Sequence, residues 1–190
     1  MDRNLDNKSG ASVFWGEIAP CEHMAQFYEH DGALLDNLTG FIGGGLKAGE
    51  NTIVIATAEH LSALEKRLDS SGVNVAIAKL LDRYIPMVAE EALAKFMVDR
   101  WPDDDRFESF VTDLILRARV NDRRVRAFGE MVALLWARGD AAATVRLEHL
   151  WEQICERQDF SLFCAYPKAG FTEVPVKSLT DIRACHSRII

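Results

Sequence analysis

The run Asn51-Thr-Ile-Val-Ile-Ala-Thr57 constrains this chain more than any other segment. It is short, free of charge and rich in β-branched side chains, which is how a strand covered on both faces reads, and such strands belong to parallel sheets. His23-Met-Ala-Gln-Phe-Tyr28, Arg124-Val-Arg-Ala-Phe-Gly129 and Phe160-Ser-Leu-Phe-Cys-Ala-Tyr166 also read as strands, and Val73–Leu80 is a further candidate. Helical spacing of apolar residues marks Ala33–Leu46, Glu59–Leu68, Ala89–Val98, Phe107–Val120 and Met131–Arg157, the last broken at Gly139-Asp140. Gly43, Gly44 and Gly45 read as the weakening end of the first helix and Gly49 as its stop. A segment around Tyr84–Met87 leads into the helix at Ala89, and Ile182–Ile189 is expected to close the chain as a short helix. Strands separated by helices of this length need crossover connections. The expected fold is therefore α/β: a single three-layer domain with a mostly parallel sheet and helices on both faces.

Length and charge limit the organisation. The 190 residues, 48% hydrophobic and 27% charged, suffice for one domain with a sizeable core and no need of disulfides or structural metal. It is expected over residues 21–190, behind a flexible arm over residues 1–20 that docks by Phe14 and Trp15. One such domain leaves no room for both a sensor and a separate output module. Lys plus Arg total 22 against 29 Asp plus Glu, a formal net charge of −7, which argues against nucleic acid as a direct partner. No stretch approaches the roughly 18–20 uncharged apolar residues of a membrane helix, and Met1–Gly10 is charged where a secretory signal is apolar. A cytoplasmic location without membrane contact is expected. Cys21, Cys155, Cys164 and Cys185 form no C-x-x-C pair, so they read as free thiols in a reducing compartment.

Open parallel sheets bind ligands at the carboxyl ends of their strands. That rule selects Tyr28 and Glu29, Thr57, Glu59 and His60, Glu130, and Tyr166, with Cys164 just inside the last strand end. Glu130 either caps free helix amides or faces a pocket; Tyr166 either packs or presents its hydroxyl. His23, His60, His186, Glu130 and Cys164 are residue types that bind transition metals, but no two have a ligand spacing such as H-x-x-x-H, so no metal site is assigned. A phosphate loop is absent. Ala56-Thr-Ala-Glu-His-Leu61 follows the buried strand without glycine or lysine, while Gly43-Gly-Gly-Leu-Lys-Ala-Gly49 precedes it. No G-x-S-x-G elbow or locally paired nucleophile supports an enzyme. Arg117–Arg126 concentrates positive charge, either as solvated helix ends or as a docking surface for an acidic partner.

The blocks His23-Met-Ala-Gln-Phe-Tyr-Glu29, Phe41-Ile-Gly-Gly-Gly-Leu-Lys-Ala-Gly-Glu50, Val54-Ile-Ala-Thr-Ala-Glu-His60, Phe128-Gly-Glu-Met-Val-Ala-Leu-Leu-Trp136, Arg146-Leu-Glu-His-Leu-Trp151 and Leu162-Phe-Cys-Ala-Tyr-Pro167 resemble, in this order, the MEDS domain, a sensory domain of regulators in methanogens and methylotrophs. The resemblance runs from about His23 to Phe171 and extends through Cys185-His186-Ser187. It implies a RecA/KaiC-like fold without a working P-loop, a role in signal transduction, and small organic ligands such as hydrocarbon derivatives. It maps recurring polar positions onto His23, Tyr28, Thr57, His60, Glu130, Cys164 and His186, so that with Tyr166 these form the expected ligand-binding set, with no catalytic role. The resemblance implies a domain often joined to a DNA-binding segment or a histidine kinase, and neither is expected within these 190 residues. The expectation is a stand-alone sensory domain that signals through a separate protein such as a histidine kinase or transcription regulator, with no cofactor named. The alternatives are a non-catalytic interaction scaffold, including a homo-oligomer, and a nucleotide-binding enzyme.

Overall fold

In the computed structural model, which describes residues 15, 18, 19, 21–168 and 176–190, the run that opened the sequence reading is a strand with all six residues buried (β2, Asn51–Ala56). It lies inside a six-stranded sheet with β1 (His23–Tyr28), β3 (Tyr84–Val88), β6 (Val125–Gly129), β7 (Ser161–Pro167) and β8 (Arg188–Ile189), in the order β3-β2-β6-β7-β1-β8. Every neighbouring pair is parallel. Alternation along the strands serves two cores: Val54 and Ala56 face α1 (Asp31–Lys47), α2 (Ala58–Ser70) and α3 (Val75–Leu80), whereas Ile53 and Ile55 face the opposite layer. That layer holds α4 (Ala89–Phe96), α5 (Asp104–Ala118), α6 (Met131–Ala137), α7 (Ala141–Gln158) and α8 (Val176–Ala184). The domain is thus an α/β three-layer sandwich of RecA-like type. A small antiparallel ribbon, β4 (Met97–Val98) with β5 (Trp101–Pro102), turns through Asp99 and Arg100, both at positive φ as a tight hairpin requires.

Three segments differ from the sequence reading. Val73, Val75 and Ile77 alternate like a strand, yet residues 75–80 form α3, because the Asn74 side chain accepts the Ile77 amide at 2.9 Å and starts a helix. The strand comes next, at Tyr84–Val88. Its Pro86 cannot donate to a ladder, which suits β3 to the sheet edge, where β2 is its one strand neighbour. At the carboxyl end the helix spans Val176–Ala184, and Arg188-Ile189 adds to the free edge of β1 instead of continuing it.

The glycines before β2 also do more than end a helix. Helix α1 runs through Gly43, Gly44 and Gly45 to Lys47, and Gly49 follows at φ +86°. A Cβ on Gly40 would lie 2.3 Å from the Trp15 ring, and one on Gly45 would lie 2.8 Å from Arg126 Cδ. The bare helix face lets two large side chains cross it. Trp15 packs edge-on against Phe41 at 5.6 Å and is 9% exposed. Arg126, 1% exposed, pairs with Glu50, donates to the Trp15 and Phe41 carbonyls at 2.7 and 3.1 Å, and lies over the Phe41 ring. Of the arm expected over residues 1–20, Phe14 and most other positions lie outside the described residues.

Candidate functional site

The eight residues selected from the sequence fall into two groups. His23 and Tyr28 occupy opposite ends of β1, about 16 Å apart at strand rise. Each end has its own constellation.

At the carboxyl ends, β2 leads into α2 on one face of the sheet while its neighbour β6 leads into α6 on the other. Adjacent strands whose connections diverge in this way leave a crevice, the usual ligand position in open α/β sheets. Glu130, 3% exposed, stands in it. One carboxylate oxygen accepts the Thr57 amide at 2.9 Å and the other meets His60 Nδ1 at 2.7 Å. Thr57 caps α2 through the His60 amide, and Asp31, at the start of α1, approaches His60 Nε2 at 3.6 Å. The Glu130 side chain makes no capping bond to its own helix. It supplies instead an internal anion at the amino terminus of α2, where a phosphate would otherwise be attracted.

The electrostatics follow from that placement. The hydrogen bond to Glu130 raises the pKa of His60 against the opposing effect of burial, and the charges of Glu130 and Asp31 add to it. Burial pushes the Tyr28 hydroxyl upward, with Glu130 and Asp31 reinforcing, so it stays protonated. The arrangement sets an imidazole and a phenol beside a fixed carboxylate.

The second group lies under α7 and α8. His23, Cys164 and Tyr166 share one face of β1 and β7, since Ala25 is the register partner of Cys164. Glu148 of α7, fully buried, reaches into the middle of them. It receives the Tyr166 hydroxyl, and its oxygens lie 3.5 Å from His23 Nε2, 3.5 Å from His186 Nε2 and 3.8 Å from Cys164 Sγ. Tyr166 therefore turns its hydroxyl inward, toward Glu148. Burial works against charge on Glu148, but His186, His23 and Tyr166 together outweigh it and hold the carboxyl below its ordinary range. Burial pushes His186 down and the Cys164 thiol up.

Glu148 escaped the sequence reading because it lies mid-helix, away from any strand end. The available signal was its position in the apolar stripe Thr144, Glu148, Trp151, Cys155 of α7, where a carboxylate must find partners. The basic stretch Arg117–Arg126 is not one surface. Arg126 is core, Arg117 pairs with Asp82, and Arg119 and Arg124 donate to the Asp159 and Ile18 carbonyls.

A cavity of about 220 Å³ touches the second group through His23 and His186. A more apolar one of about 450 Å³, between α4 and α6, includes none of the eight residues. No described helix is long and apolar enough to cross a membrane. The family model of MEDS, the MEthanogen/methylotroph, DcmR Sensory domain, matches residues 22–187, which spans both groups. No curated protein matches the chain.

Proposed function

The chain belongs to the MEDS family of sensory domains, and from that premise we propose that it senses a small organic molecule, such as a hydrocarbon derivative, at the β2–β6 crevice and passes the state of that site to a signalling protein. The observation that carries the reading is Glu130, which ties the end of β6 to the start of α2 through Thr57 and His60. A ligand that competes for His60 alters this tie and so shifts α2 relative to the sheet. The output is a contact change on the α1–α2 layer, read by a partner such as a histidine kinase or transcription regulator. No bond-making step is part of it.

The test is a thermal-shift and native-mass-spectrometry screen of small halogenated, methylated and hydroxylated hydrocarbons against the wild type, His60→Gln and Glu130→Gln. A ligand that raises the wild-type midpoint and loses its effect in both variants is expected. No binding from the panel, together with partner capture indifferent to both variants, refutes sensing at this crevice. That outcome favours the second reading, a non-catalytic scaffold, which draws support from Glu130 filling the crevice with the chain's own side chain. ATP uptake in equilibrium dialysis is expected to be nil, because the amino terminus of α2 already holds a carboxylate.

A further inference from the structure

The buried group under α7 and α8 has the composition and spacing of a metal centre. We propose that His23 Nε2, Cys164 Sγ, the Glu148 carboxylate and His186 Nε2 form a four-coordinate site for a divalent transition metal, zinc(II) above all. Their donor atoms lie within 4.8 Å of one another, and all four residues are buried. Zinc binds nitrogen at about 2.0–2.1 Å and thiolate at about 2.3 Å, so tetrahedral angles put neighbouring donors roughly 3.3–3.6 Å apart. His23 Nε2 lies 3.5 Å from both Cys164 Sγ and Glu148 Oε2, and His186 Nε2 lies 3.5 Å from the other carboxylate oxygen, Oε1.

Hydrogen bonding gives a second, independent argument. His186 Nδ1 lies 2.6 Å from the Ile182 carbonyl, which can only accept, so Nδ1 carries the proton. The other ring nitrogen, Nε2, is buried without a hydrogen-bond partner and faces the Glu148 carboxylate at 3.5 Å. A buried imidazole nitrogen with no hydrogen-bond partner, set against a buried carboxylate, marks a place that a cation would satisfy. A backbone carbonyl holding the distal nitrogen is also how ligating histidines are commonly oriented, and the Tyr166 hydroxyl orients Glu148 in the same manner.

Charge balance completes the case. Thiolate and carboxylate together cancel a divalent cation between two neutral imidazoles, so the occupied site carries no net charge; the thiol proton leaves to solvent as the metal enters. Access is available from the cavity of about 220 Å³ that reaches His23 and His186. At its rim Cys185 Sγ lies 3.4 Å from His149 Nδ1, which lies 3.6 Å from Glu152. These donors form an outer station of the same chemistry.

The protein is stripped with chelator and titrated with cobalt(II), then with zinc(II). The expected result is one equivalent bound, with a near-ultraviolet thiolate-to-cobalt charge-transfer band and the visible bands of tetrahedral cobalt. Cys164→Ser should remove the charge-transfer band, Cys185→Ser should leave it, and His186→Ala should weaken affinity at least 100-fold. Should Cys164→Ser fail to fold, X-ray absorption of the zinc-loaded wild type decides: one sulfur and three nitrogen or oxygen neighbours are expected. Absence of stoichiometric metal, a sulfur-free shell, or a band that vanishes with Cys185→Ser and survives Cys164→Ser overturns the assignment.

Discussion

Replacing Gly40 by alanine sets two well-measured effects against each other. Alanine in a helix interior is favoured over glycine by about 1 kcal/mol, so propensity alone makes Gly40→Ala stabilising. The new methyl group, however, would lie 2.3 Å from Trp15 Cδ1 and 2.7 Å from its Nε1, distances that no small adjustment relieves. The indole must leave. Trp15 is 9% exposed and packs on Phe41 and Phe163, and losing such a side chain from a core costs roughly 3–5 kcal/mol. The net expectation is a destabilisation of roughly 2–4 kcal/mol, or a fall in Tm of roughly 4–16 °C for a domain of this size. Urea unfolding at 25 °C, followed by far-ultraviolet circular dichroism and tryptophan emission, measures it. The decisive comparison is made in a Trp15→Ala background, where the indole contacts are gone and Gly40→Ala should become stabilising by about 1 kcal/mol. A wild-type background in which Gly40→Ala is neutral or stabilising refutes the packing argument.

Glu50→Ala leaves the Arg126 guanidinium buried without its carboxylate and should cost roughly 3–5 kcal/mol, while adding Arg126→Met should recover part of the loss; a cost under about 1 kcal/mol in urea titration contradicts a buried pair. His60 has a folded-state pKa raised by Glu130, so the stability it contributes is fully present below its unfolded value of about 6.5 and is lost as pH rises through the folded value. Urea midpoints for the wild type and His60→Gln, compared from pH 5.5 to 8.5, should converge toward the alkaline end; a difference constant with pH removes Glu130 as the cause.

The layer architecture was readable because β2 and the long helices announce themselves by local pattern: β-branched continuity in one case, apolar spacing in the other. The failures have equally local causes. At residues 73–77 a two-residue alternation competed with a single capping asparagine, and the cap won. At Tyr84–Val88 a proline hid an edge strand. The strand-end rule found His60, Thr57 and Glu130 together, since topology alone brings neighbouring strand ends into one crevice. It placed Tyr166 and Cys164 with them, and the family resemblance added His23 and His186, although these four residues meet under α7 and α8. No spacing rule joins Glu148 to His23, because only the packing of α7 against the sheet brings them together.

The pairing of β8 with β1 carries a consequence for synthesis. Ser187 bonds to both the amide and the carbonyl of His23 across 164 positions of sequence. At about 5–20 residues per second, the ribosome needs roughly 8–33 s to supply the second partner after the first has emerged. Throughout that interval one side of β1 has no strand to cover it, and its other neighbour, β7, also arrives late. An uncovered strand edge is an invitation to other chains. The strand that waits longest for its neighbours, β1, is therefore the one most open to pairing with other chains before the sheet is complete.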